Sequence, residues 1–199
     1  MSEPMIESKN AVRSERTRTA LIAAARDLFA TGGYAATSTP DIVRVANVSR
    51  GALYHHFADK LNLFRAVVEA EQATVAQEVD RPSQEVDDPV AAIRLGGEAF
   101  LEAMRDPGRR RILLIDGPAV LGVAAMREID ARHAGRTLVE GVQTAIAAGR
   151  MRSLPPVALA ALLNAAFDRV AEADDEGGEY RAALWGLIEG LRTGPDGAR

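Results

Sequence analysis

Residues 39–60 read T-P-D-I-V-R-V-A-N-V-S-R-G-A-L-Y-H-H-F-A-D-K. The stretch predicts two short helices joined by a tight turn, then the start of a third. Thr39 is an N-cap candidate, since its hydroxyl can accept from a free amide of the first turn. Pro40 at the first helical position costs nothing, because its missing N–H would be unpaired there. Ile42, Val43 and Ala46 give the first helix one apolar side. Asn47 tolerates the left-handed conformation in which helices commonly end. Val48 is apolar inside the turn and is expected to plug the angle between the helices. Ser49 caps the second helix, which runs from Arg50 to about Phe57. In such a helix-turn-helix plan the second helix lies in the DNA major groove, with its N-terminal residues at the base edges.

The side chains fit that task. Arg50 can fork onto guanine N7 and O6. Gly51 and Ala52 are small enough to let the helix approach the groove. Leu53 and Phe57, four apart, face the core, while Tyr54 and His55 can donate to phosphate oxygens. Lys60 opens the next helix, where an ammonium and free amides can meet a phosphate together. Thr37, Ser38, Thr39 and Ser49 complete the expected contact set. The competing reading is an ordinary helical hairpin with a solvated arginine and an aromatic core.

The flanks carry a family resemblance. A-A-R-D-L-F-A-T-G-G-Y at 24–34, T-S-T-P-D-I-V at 37–43 and V-S-R-G-A-L-Y-H-H-F-A-D-K-L-N-L-F at 48–64 resemble the DNA-binding domain of the TetR (tetracycline repressor) family. Asn47 stands where that family more often has Gly, and Leu61 where it often has Glu. The resemblance implies an N-terminal reader, an all-helical ligand domain and a homodimer. More loosely, I-D-G-P-A-V-L-G at 115–122 is similar to the ligand domain of one subgroup.

Composition agrees. The chain of 199 residues is 47% hydrophobic and has no Cys, which excludes disulfides and thiolate metal sites. No apolar run is long enough to span a bilayer and the N-terminus is unlike a signal peptide, so we expect a cytoplasmic protein without membrane contact. The net charge of −4 hides an asymmetry. Residues 9–65 carry nine Lys/Arg against four Asp/Glu, or +5, while 66–199 carry 15 against 22, or −7. A basic N-terminal third on an acidic body suits a nucleic-acid module joined to something else.

Residues 1 to about 12 are expected to fray. Leu21, Ile22, Ala25, Leu28 and Phe29 then form an amphipathic stripe, ended by Gly32-Gly33, with Tyr34 folding back onto it. Arg13, Arg16 and Arg18 are either a solvated face or an arm on the DNA backbone. A linker helix over about 60–80 starts at the Asp59 cap and ends before Pro82. We therefore expect an all-α chain of about nine helices: a three-helix DNA-binding domain at 12–65, and a ligand-binding and dimerisation domain at 66–199.

In the body, Asp88-Pro89 starts a helix. Gly96-Gly97 within it implies a close approach by another helix or a ligand, or a bend. Arg109, Arg110 and Arg111 are expected in solvent, and Ile112 to Ile115 in the core. Asp116 is either a turn cap or a polar anchor in a cavity. His133 is expected at the surface or satisfied internally. Residues 157–167 are apolar nearly all round, so that helix must be covered on every side. In the last helix Ala182, Gly186 and Gly190 form a small-residue stripe beside Trp185. With Leu162 and Ala166 they are the expected two-fold interface, against the alternative of tight packing inside one chain. Residues 174–178 (D-D-E-G-G) and 193–199 are expected as an acidic loop and a loose tail.

These features point to a dimeric, ligand-responsive repressor on a palindromic operator, released by a small organic effector of apolar or mixed polarity. Phe100, Met104, Leu113, Asp116, Met126, Asn164, Phe167 and Asp168 are its candidate contacts, with Asn164 and Asp168 also able to pair across a dimer. A constitutive or architectural DNA-binding protein is the alternative. An enzyme is not expected. Only His55, His56 and His133 are present, and no P-loop, nucleophile elbow or dinucleotide fingerprint appears. No metal or cofactor is implied.

Overall fold

The apolar stripe of the N-terminal third buries Leu21, Ala25 and Phe29 completely, and the helix that carries it, α1 (Pro4–Ala36), starts earlier than expected. The computed structural model describes residues 4–84, 86–173 and 178–193. The expected acidic loop at 174–178 and tail at 193–199 fall almost wholly outside that set. Gly33, at φ 80°, breaks α1 near its end and lets Tyr34 turn back onto Phe29 and Phe64, at 5.7 and 4.9 Å between ring centroids.

Helices α2 (Thr39–Val45) and α3 (Arg50–His56) follow the predicted hairpin. The first cap moves by one residue. Ser38, not Thr39, accepts from Asp41 N, and its hydroxyl donates back to Asp41 Oδ2 (2.6 Å). Asn47 takes the left-handed turn at φ 53°. Ser49 accepts from Ala52 N. Asp59 caps α4 (Lys60–Ser83), which carries Pro82 in its last turn rather than stopping before it. A proline there removes one intrahelical bond at a terminus that is already loosening.

The body holds α5 (Pro89–Ala103), α6 (Pro107–Arg110), a π-helical segment (Arg111–Asp116), α7 (Gly117–Leu121), α8 (Val123–Asp130), α9 (Ala134–Ala147), α10 (Pro156–Glu172) and α11 (Glu179–Gly190). Asp88 caps α5 as expected, accepting from Val90 N. Asp116-Gly117-Pro118, whose composition alone predicts a break, lies within continuous helix. The π segment runs directly into α7, with Gly117 N bonded to Ile112 O. A Cβ at Gly117 would meet that carbonyl at 2.8 Å, so glycine permits the wide turn. The extra residue rotates the face. Ile112 and Leu113 are buried, but Ile115, expected inside, is 57% exposed. Helix breaks at Gly122 instead, at φ 85°.

Two apolar cores result. The first joins α1–α4 to Met104, Ile112, Leu113, Met126 and Ile129, so packing is continuous across residue 65. The second unites α5, α9, α10 and α11 through Ile93, Leu101, Val142, Leu163, Phe167 and Ile188. Gly96-Gly97 answers to close approach. A Cβ on Gly97 would sit 2.4 Å from Phe167 and 2.7 Å from Trp185, and one on Gly96 3.1 Å from Val79.

Candidate nucleic-acid interface and body cavity

The polar groups of the reader bond largely among themselves. Leu53 and Phe57 fix α3 to the core, which leaves Arg50, Gly51, Tyr54 and His55 exposed and Ala52 half-exposed. The Arg50 guanidinium lies 5.5 Å from the Tyr54 ring. Hydrogen bonds with Thr39 and then Arg50 lower the Tyr54 hydroxyl below its ordinary pKa. Tyr54 thus links the start of α2 to the start of α3, and Arg50 is held over it.

Other members of the expected contact set are occupied internally. Thr37 is buried, and its hydroxyl donates to Gly33 O (2.8 Å) and Leu28 O (3.2 Å). Ser38 and Ser49 serve as caps. Lys60 Nζ donates to Tyr34 O (2.8 Å) and Thr37 O (3.0 Å), and lies 4.0 Å from the Tyr34 ring. These bonds tie the first turn of α4 to the exit of α1. Arg13 and Arg16 are exposed on α1, while Arg18 rests over Phe57.

The arginine triplet is not a solvated charge run. Arg109 is 13% exposed and binds Glu71 (2.9 Å) and Glu78 (2.8 Å) of α4. Glu71, 11% exposed, also takes Arg26 of α1 (2.9 Å), which reaches Asp106 (2.8 Å) as well. The bond to Glu71 is the largest of the effects that hold the Arg26 pKa above its ordinary value. Arg111 donates to Thr31 O (2.8 Å), satisfying a free carbonyl at the end of α1. Asp116, neither turn cap nor cavity anchor, accepts from Tyr34 N (2.9 Å). Arg111 and Asp116 of the π-helical segment thus grip the α1 exit, while Glu71 and Asp106 hold Arg26 further back along α1. Sequence offered no signal for these pairs, whose partners lie tens of residues apart.

A cavity of about 450 Å³ opens between the end of α4, α5, α9 and α10, a volume suited to a small organic molecule. Phe100, Asn164 and Phe167 of the expected effector set line it. Met104, Leu113 and Met126 belong to the first core instead, since they pack behind α4. Residues not anticipated from sequence complete the lining, among them Asp80, Ile93, Thr137 and Leu138. Thr137 donates to Asp80 Oδ1 (2.8 Å).

Asn164 donates to Asp130 Oδ2 (3.1 Å) within the chain. Burial pushes the Asp130 carboxyl up to about 6. Asp168, one turn on from Asn164, lies outside the lining. Burial, then the charges of Asp130 and Glu172, pushes its carboxyl up to about 7.

Of the expected dimer set, Leu162 is 71% exposed, and a Cβ on Gly186 or Gly190 would meet nothing within 4 Å. Ala182 is exposed too, and Ala166 half-buried against the second core. Leu187 and Val157 extend the open apolar face. Trp185 turns inward, 5.8 Å from Phe167, with Arg94 over its ring. His133 stands at the start of α9. Among the described residues no helix is long and apolar enough to cross a membrane, and no cluster of three or more His, Asp or Glu is placed for a metal ion.

Residues 21–67 match the family model for bacterial regulatory proteins of the tetR family, and residues 90–191 that for a tetracyclin repressor-like C-terminal domain. A TetR-family regulator of Pectobacterium atrosepticum superposes with a TM-score of 0.76 at 34% identity, over 92% of this chain and 98% of that one. The regulator AcrR of Shigella flexneri is 31% identical over 53% of this chain and 50% of its own. The chain spans about half the length, or less, of the first curated relatives it matches. RolR, solved with resorcinol, shares the fold at 23% identity and a TM-score of 0.65, over 89% of both chains. With a reader model and a body model in register on two packed cores, the chain belongs to the TetR family of transcriptional regulators, which are not enzymes.

Proposed function

We propose that this chain is a homodimeric repressor that reads a palindromic operator with one α3 from each protomer and is released by a small molecule in the body cavity. The observation that carries this reading is the double role of α4. Its first residue, Lys60, is bonded to the α1 exit, and its last turns, with Val79, Asp80 and Ser83, wall the cavity. Arg50 supplies base readout, with Tyr54 and His55 toward the backbone. The open face of α10 and α11 supplies the two-fold contact.

The test is selection of random duplex DNA by the purified protein, with binding of the selected sequence followed across salt. A palindrome with half-sites about one helical turn apart is expected. Weak binding blind to sequence would contradict the reading. Arg50→Ala should weaken specific binding and relax base choice at one position per half-site, by about 1–3 kcal/mol. Unchanged preference would remove Arg50 from base readout.

A further inference from the structure

We propose that the body cavity selects an organic cation: a protonated or quaternary amine carrying an aromatic or aliphatic body. This deepens the effector reading above and rests on it. The floor is apolar, with Ile93, Phe100, Leu138 and Phe167, and Gly96-Gly97 lets Phe167 pack close against it. Such a floor takes a hydrocarbon or a ring. The rim is charged, and its balance is negative. It carries Asp80, Asp87 and Glu140 against one cation, Arg136, and Arg136 is already paired with Glu140 at 3.0 Å. Among the described residues no Lys or Arg pairs with Asp80 or Asp87. Among the described residues the Asp80 carboxylate accepts only from the Thr137 hydroxyl, at 2.8 Å. Its second oxygen and the exposed Asp87 can accept from an ammonium.

The surroundings act in the same direction. Residues 66–199 contain no lysine and carry −7, so an anion approaching the mouth is repelled and a cation concentrated. Behind the cavity wall, Asn164 leads to Asp130 and thence to Asp168. Both carboxyls lie within reach of the same field and reinforce it when ionised. A neutral phenol such as the RolR ligand would leave the Asp80 charge uncompensated. An ammonium with a ring satisfies floor and rim together, and cation–π contact with Phe100 or Phe167 adds to it.

Trp185 is the only tryptophan and packs 5.8 Å from Phe167 of the floor, so its fluorescence reports occupancy. The probes are phenylbutylammonium, which carries N–H donors, the matching neutral phenylbutanol, and a phenylalkanoate of equal length. The cation is expected to change the signal saturably, with affinity at least about tenfold above either competitor. Asp80→Asn keeps an acceptor for Thr137 and should weaken the cation about tenfold, the low end for a hydrogen bond to a charged group, while leaving the alcohol unchanged. Asp87→Asn, at an exposed rim position, should act in the same direction with no effect on folding. Equal binding of alcohol and cation, no response to millimolar cation, or indifference to both substitutions would overturn the proposal. A second titration, on the protein bound to its selected operator, separates the two readings. A cation that binds without releasing DNA refutes the effector role and keeps the cation site. Release by the alcohol alone keeps the effector role and refutes the cation.

Discussion

Asp168→Asn should make the protein more stable at pH 8, with a gain that shrinks as pH falls and vanishes below about pH 4. The carboxyl is half-buried on α10, with Asp130 and Glu172 as charged neighbours. Its pKa rises from 3.8 in the ordinary state to about 7 in the fold. The folded chain therefore holds this proton longer than the unfolded chain does. Stability from the group is complete below about pH 4 and is lost as pH rises through about 7. At 1.36 kcal/mol per pH unit the full loss is about 4 kcal/mol. Residual solvent access and relaxation of Asp130 reduce this, and we expect a gain of about 1–3 kcal/mol at pH 8. Asparagine stays neutral, nearly preserves the shape and can donate to the Asp130 carboxylate. The assay is urea unfolding of both proteins from pH 8 down to below pH 4, at fixed ionic strength and protomer concentration. The curves should converge at the acid end. A difference independent of pH, or a variant weaker at pH 8, would refute the reasoning.

Gly97→Ala places a methyl 2.4 Å from Phe167 and 2.7 Å from Trp185. The overpacking, about 1–3 kcal/mol, should exceed the gain in helix propensity, about 1 kcal/mol, so denaturant unfolding should show a net loss; a rise in stability would mean the rings move freely. Glu71→Gln strips two arginines of a shared partner. Because Arg109 keeps Glu78 and Arg26 keeps Asp106, we expect a loss of about 2–3 kcal/mol, below that of a fully buried pair, measured by unfolding at neutral pH; a neutral result would reduce the network to surface pairing. The Cβ of Gly186→Leu meets no described atom within 4 Å. Sedimentation should show the proposed dimer weakened with the protomer still folded, and an unaltered dimer would move the interface elsewhere.

The reader was legible because its rules are local. Caps lie within three residues of their amides, the Asn47 turn is set by one side chain, and Leu53 and Phe57 are one helical turn apart. Even there the cap shifted from Thr39 to Ser38, because both hydroxyls precede the same proline and only φ and ψ distinguish them. The body was harder. Arg109 reads as a solvated charge until Glu71 and Glu78 are known to face it. Ile115 reads as core until a single extra residue in the π turn rotates it outward. Asn164 and Phe167 of α10 line the cavity, whereas Met104, Leu113 and Met126, which the same pattern turns inward, fill the other core. Hydrophobic periodicity marks an inward face but not which of two interiors it meets.

That division into two interiors bears on regulation. Helix α4 has 24 residues and spans about 36 Å at 1.5 Å per residue, from the Lys60 tie to the cavity wall. Between these ends Glu71 and Glu78 join it to α1 and α6. On the proposed mechanism, a ligand that moves the last turns of α4 must either carry α6 with it or lengthen the bonds of Arg109. A ligand shifts the equilibrium only by its differential affinity for the two states. Couplings of about 1–3 kcal/mol change DNA affinity about 5–150-fold. The loss expected from Glu71→Gln falls in that same range. The ion pairs of Glu71 are therefore enough to set the balance between the two arrangements, and Glu71→Gln should alter the ligand concentration needed for release as well as stability. A variant that loses stability but releases DNA at the same ligand concentration would show that the signal bypasses this network.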